Sequence, residues 1–202
     1  KDIIQIIANF SGIYIQLAIT KINKYISKNI FILKLDTQNF DNINENMENY
    51  TKIDQCVIMQ KKFSKLKILS CKYNTNILNV NHLKDTLEEL YCCWECGIDQ
   101  NGISELKRLK ILDCSGNSKI KNVDNFANVL EELYCSWECG IDQSGISELK
   151  RLKILDCSGN SKIKNVDHFT NMLEELDCSW ECGIDQNGIS QLQHLKVLKC
   201  SG

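Results

Sequence analysis

Thiols are the groups in this sequence best suited to chemistry, with 12 cysteines among 202 residues. Seven of them, Cys71, Cys92, Cys114, Cys135, Cys157, Cys178 and Cys200, recur at intervals that alternate between 21 and 22 residues. Cys96, Cys139 and Cys182 each complete a Cys-x-x-x-Cys pair with Cys92, Cys135 and Cys178. Such a set could hold a soft metal ion or pass between thiol and disulfide. Structural zinc sites, however, bring two closely spaced knuckles to one point, whereas thiols at a fixed period spread along an axis. Cysteine also packs well as a small buried hydrophobe. Core packing is therefore the expected role, with metal or redox chemistry as the alternative, and no metal or other cofactor is expected.

The other reactive groups point away from catalysis. His82 and His168 occupy the repeat position held by Asn125, and His194 that of Arg108 and Arg151, so no shared histidine role is expected. A catalytic constellation needs different residues converging on one place, which near-identical tandem units do not supply. The sequence contains no phosphate-binding glycine loop and no zinc-protease motif, and the reading is not an enzyme. Twenty-four basic residues against 26 acidic ones give a formal charge of −2. That balance lacks the positive field that nucleic acid binding depends on. The most apolar stretch, 3–35, is broken by Gln5, Asn9, Gln16, Lys21, Lys24 and Lys28, so no membrane span is expected. With no signal peptide visible, the thiols are expected to be reduced and the protein intracellular and cytoplasmic. Both ends read as cut from a longer product.

What positions the cysteines is a repeat. Residues 92–134 and 135–177 differ at six positions, Cys93/Ser136, Asn101/Ser144, Asn125/His168, Ala127/Thr170, Val129/Met172 and Tyr134/Asp177. Each 43-residue period is two shorter units, because Leu-x-x-Leu-x-Cys begins at Leu66, Leu87, Leu109, Leu130, Leu152, Leu173 and Leu195. Side chains alternate between the faces of a strand, so the second leucine and the cysteine share one face. One such short strand cannot bury that face alone. Stacked units can, and the expected result is a solenoid of parallel strands in which each repeat touches its neighbours. The thiols would then form an internal column at about 4.8 Å per strand.

These units resemble leucine-rich repeats, whose pattern is L-x-x-L-x-L-x-x-N/C-x-L. The likeness covers residues 66–202 and implies an α/β solenoid with a parallel β-sheet on its concave face. The 21-residue units carry Asn74, Asn117 and Asn160 at the pattern's ninth position, where a buried amide would satisfy backbone groups leaving the strand. The 22-residue units depart from it, with Glu95, Glu138 or Glu181 there and a cysteine one residue later. Residues 31–65 read as degenerate leading repeats, through Ile30-x-x-Leu33-x-Leu35 and Ile53-x-x-Cys56-x-Ile58.

The first thirty residues read as two short helices, the N-terminal helical segment of the fold. Ile3, Ile4, Ile7, Phe10, Leu17, Ala18, Thr20 and Lys21 resemble an F-box, although the usual Leu-Pro before its first helix is absent. A plain helical cap over the first repeat is the competing reading. The resemblance implies docking to the adaptor of a cullin-type ubiquitin ligase, with the repeats choosing the substrate. F-box and repeat together are similar to families of large DNA viruses and unicellular eukaryotes, which for a viral protein would mean the host cytoplasm.

Strand positions pointing away from the core complete the reading. Lys67, Glu88, Lys110, Glu131, Lys153, Glu174 and Lys196 alternate in charge and would set the register of neighbouring strands. Beside them run Glu89, Glu132 and Glu175, then Tyr91, Asp113, Tyr134, Asp156 and Asp177, and finally Trp94, Trp137 and Trp180 alternating with glycines. Exposed aromatics anchor interfaces well. The expected function is recognition of a protein partner of basic or mixed charge on this face, with a purely structural array as the alternative. The last unit ends in an open strand edge, where self-association is a further expectation.

Overall fold

In a computed structural model, residues 31–37, 55–59 and 61–201 are described. Eight strands form one all-parallel open sheet in simple chain order. They are β1 Lys34–Asp36, β2 Ile68–Ser70, β3 Glu89–Tyr91, β4 Ile111–Asp113, β5 Glu132–Tyr134, β6 Ile154–Asp156, β7 Glu175–Asp177 and β8 Val197–Lys199. A strand this short is set by one buried leucine. Leu69, Leu90, Leu112, Leu133 and Leu155 lie at the strand centres with no solvent exposure, while the residues on either side are partly exposed. The register keeps these leucines opposite one another, Leu90 against Leu112 and Leu112 against Leu133.

Each chain turn leaves the sheet through a tight bend and returns through a short helical segment. The returns explain the alternating unit length. Three-residue 3-10 turns, Asn81–Leu83, Asp124–Phe126 and Asp167–Phe169, serve the 21-residue units. Four-residue segments, Gln100–Ile103, Gln143–Ile146 and Gln186–Ile189, serve the 22-residue units. Only the longer returns are capped by a carboxylate. Asp99 accepts from the Gly102 amide, and Asp142 and Asp185 do the same at their own turns, as N-cap side chains do elsewhere. Gly102 is needed for approach rather than conformation, because a Cβ there would overlap the Leu78 carbonyl of the preceding rung.

The core is one continuous cluster running the length of the sheet. Its layers are the strand leucines, the cysteine column, Ile77, Ile98, Ile120, Ile141 and Ile163, and the return-side Phe126 and Phe169. Cys71, Cys92, Cys114, Cys135 and Cys157 are fully buried. Along the last rungs the column opens, with Cys178 half-buried and Cys200 exposed.

The buried asparagines act as the ninth position requires. Asn117 donates to the Cys92 and Ile98 carbonyls at 3.0 and 3.1 Å and accepts from the Lys119 amide at 3.0 Å. Asn160 repeats the set with Cys135, Ile141 and Lys162. In the 22-residue units Glu95 and Glu138 turn outward and Cys96 and Cys139 are buried instead, so the inward position moves by one residue.

Of the two leading candidates, the first supplies β1, which pairs directly with β2. The second supplies no strand among its described residues. Gln55–Ile58 is a single helical turn whose Ile58 is buried in the core. The F-box-like residues Ile3, Ile4, Ile7, Phe10, Leu17, Ala18, Thr20 and Lys21 lie outside the described residues.

Candidate partner-binding face

The outward side of the sheet carries two rows, one residue before and one after each central leucine. The first row reads Ile68, Glu89, Ile111, Glu132, Ile154, Glu175 and Val197. The second reads Ser70, Tyr91, Asp113, Tyr134, Asp156, Asp177 and Lys199. Parallel register therefore gathers the acidic and aromatic site residues on one face, as their spacing predicts.

Several of these side chains are held by neighbours. The Tyr91 hydroxyl donates to Glu89 Oε2 and the Tyr134 hydroxyl to Glu132 Oε2, both at 3.0 Å, so each glutamate is fixed by the tyrosine two residues along its own strand. Burial, followed by that carboxylate, pushes the Tyr91 phenol up to about 12, and Tyr134 moves the same way. Both are neutral donors at any physiological pH. Asp113, Asp156 and Asp177 accept from the amides of Ser115, Ser158 and Ser179 and so also bind the first bend after the strand. Lys72 and Lys199 approach the Oδ2 atoms of Asp113 and Asp177 at 3.5 and 3.7 Å.

The third row was legible only in part. Trp94, Trp137 and Trp180 are 40%, 45% and 64% exposed, large values for indoles. All three adopt left-handed backbone, with φ of 59°, 59° and 62°. Bulky residues occupy that region at a cost. Tyr73, Gly116 and Gly159 sit at the same repeat position with φ of 57°, 67° and 66°, so the bends after β2 to β7 all turn the same way, with an aromatic at four of the six and glycine at the other two. The glycines make room: a Cβ on Gly116 would lie 2.7 Å from Trp94 Cε3, and one on Gly159 3.2 Å from Trp137 Cε3. Tyr73 stacks on Trp94 at 6.2 Å and 4°, and Trp137 meets Trp180 at 6.1 Å and 35°. Sequence reasoning did not include Tyr73 in this row. The 43-residue alignment contains the signal, because it equates Tyr73 with Gly116 and Gly159.

The charge ladder flanks the face. Glu88 meets Lys67 at 3.0 Å and Lys110 at 4.0 Å, Glu131 meets Lys153 at 2.7 Å, and Glu174 meets Lys196 at 2.6 Å. The facing lysine holds each of these carboxyls below the usual glutamate range. Where Asp177 replaces the tyrosine of the two preceding 43-residue units, a shallow depression of about 140 Å³ opens between Tyr134, Asp156, Glu175 and Lys199. Strand β8, where edge-to-edge self-association would occur, is exposed along its length.

Histidine reasoning needs a correction. His82 Nε2 lies 3.2 Å from the Ile58 carbonyl and His168 Nε2 3.4 Å from that of Ile146, while Asn125 donates to the Ser104 carbonyl. The three share a role, bridging the return side to the preceding turn. Burial lowers the pKa of both imidazoles.

Among the described residues, no group of three or more His, Cys, Asp or Glu is arranged to hold a metal ion. Among them, too, no helix is long and apolar enough to cross a membrane. Compared with protein-family models and with curated proteins, the chain finds no match in either.

Proposed function

We propose that this protein is a recognition module of the leucine-rich repeat kind, whose outward sheet face, the concave one in such repeats, binds an extended polypeptide of basic or mixed charge. The observation that carries this is the row of tryptophans kept exposed in left-handed backbone at the bends that directly follow the strands bearing Glu89, Glu132 and Glu175. Strained and exposed aromatics are costly to keep for stability alone, and they are effective anchors. The spacing favours an extended ligand. Glu89, Glu132 and Glu175 recur at one register position on every second strand, about 9.6 Å apart along the sheet, which matches about three residues of extended chain. A shallow face suits a peptide laid across it better than a small molecule enclosed in a pocket.

The test is a display library of Trp-free twelve-residue peptides. Selection by the full chain is expected to enrich Lys or Arg with a three-residue period. Trp137→Ala and Glu132→Gln, with unchanged circular dichroism, are expected to weaken the selected peptides about tenfold or more. Equal binding by these variants would favour a purely structural array.

The F-box-like segment extends the proposal: residues 1–30 would couple the face to the adaptor of a cullin-type ligase. Support rests on the resemblance of Ile3, Ile4, Ile7, Phe10, Leu17, Ala18, Thr20 and Lys21. Purified adaptor is expected to co-elute with the full chain and not with a version lacking those residues. Equal co-elution, or none with either, would leave the segment as a cap.

A further inference from the structure

The cysteine core contains a pairing that the column alone does not require. Cys71 Sγ lies 3.6 Å from Cys96 Sγ, Cys114 Sγ 3.6 Å from Cys139 Sγ, and Cys157 Sγ 3.7 Å from Cys182 Sγ. Each pair joins the strand cysteine of a 21-residue unit to the bend cysteine of the next unit, so every 43-residue period holds one dithiol. The two sulfurs of a pair differ in surroundings. Cys71, Cys114 and Cys157 face the carbonyls of Tyr91, Tyr134 and Asp177 at 3.6 Å, as thiol donors would. Cys96, Cys139 and Cys182 sit in the bend, where the partner thiol is the strongest influence and the backbone amides of the next residues also favour the thiolate. Lys119 and Lys162 reach the carbonyls of Cys96 and Cys139 at 2.9 and 2.6 Å and bring an ammonium to the same bends.

We propose that one of these pairs, Cys157–Cys182, is a thiol–disulfide exchange site, with Cys182 as the attacking sulfur, Cys157 as the resolving sulfur, and a small-molecule disulfide as the oxidant. In the first step the bend thiolate attacks one sulfur of the oxidant, whose S–S bond breaks and whose other half leaves as a thiolate. In the second the resolving thiol loses its proton and attacks the bend sulfur of the mixed disulfide, releasing the second half. Two protein thiols are oxidised and one small disulfide is reduced to two thiols. Closing the pair needs the sulfurs to approach from 3.7 Å to about 2.05 Å, and the product staples adjacent units. Attack depends on thiolate character and access together. Cys182 has both, since it is half-buried where Cys96 and Cys139 are fully buried, and its thiol is pulled down to about 7. The Cys157–Cys182 pair therefore closes, while Cys71–Cys96 and Cys114–Cys139, buried on both sides, stay reduced. This inference does not depend on the partner-binding reading.

The full native chain is incubated with oxidised glutathione, remaining thiols are blocked with iodoacetamide, and unreduced peptides are mapped by mass spectrometry over time. The expected product is a Cys157–Cys182 link, with Cys71, Cys96, Cys114 and Cys139 recovered as free thiols. Cys157→Ser is expected to trap glutathione on Cys182 without a link, while Cys182→Ser abolishes both. Adducts confined to the exposed Cys56 and Cys200, or links scrambled through Cys92 and Cys135, would overturn the assignment.

Discussion

Asn117 shows how much one side chain contributes to a bend. It satisfies two buried carbonyls and one amide at once. Asn117→Ala leaves those groups unpaired, at about 1–3 kcal/mol each before local relaxation, so a loss of about 2–4 kcal/mol is expected in urea unfolding. A loss near zero would mean that water replaces the amide. His82 and His168 set a pH dependence. Burial lowers their folded pKa below the unfolded value of about 6.5, so the unfolded chain takes up protons first. Stability is fully present above that value and falls as pH drops through the lowered folded pKa values. His82→Asn with His168→Asn copies Asn125 and is expected to flatten the urea midpoint between pH 6.5 and 5. A slope equal to that of the parent protein would exclude these imidazoles as its cause. At this scale the inward leucines, cysteines and asparagines were legible because their periodicity is their burial. The left-handed tryptophans were not, since residue type argues against that conformation and only the position shared with Gly116 and Gly159 betrays it.

Strands and returns divide the work between packing and register. One leucine per strand fixes the inside, while the Lys–Glu ladder fixes which rung lies opposite which. The Lys153–Glu131 contact at 2.7 Å is partly solvent-exposed, so a double-mutant cycle with Lys153→Ala and Glu131→Ala is expected to give a coupling of roughly 0.2–1 kcal/mol. Glu131 is held below the ordinary glutamate range, so the coupling should persist above about pH 4.5, vanish as pH falls through the lowered value, and shrink in molar salt. A coupling insensitive to both would contradict a simple ion pair. The alternation of 21 and 22 residues was visible as arithmetic, but its location on the return side follows from the different segments there. The Ile53–Ile58 spacing imitated a strand because three apolar residues suit a helical turn as readily, and Ile58 enters the core from that turn.

A whole molecule built from neighbour contacts should tolerate the removal of a complete period. Deleting 92–134 joins Tyr91 to Cys135, the same dipeptide as Tyr134–Cys135, and the rung that replaces 92–108 differs from it only at Cys93/Ser136 and Asn101/Ser144. The shortened chain is expected to keep the circular dichroism per residue and unfold at lower urea, as quasi-one-dimensional arrays do. Loss of structure would show that the two periods are not interchangeable. The stacked architecture was the most legible property of the chain because repetition specifies it many times over. The use of its outer face was less so, since Glu89 and Glu132 prove to be tied to their own tyrosines and the aspartates to their own bends.

That use can be read through the protein's own chromophores, because its three tryptophans are Trp94, Trp137 and Trp180, all of them exposed at the bends that follow strands of the proposed face. Titrating a selected basic peptide that contains no tryptophan is expected to shift their emission to the blue and to protect them from acrylamide quenching, in step with binding. Saturable binding of that peptide with unchanged emission and unchanged quenching would contradict the account.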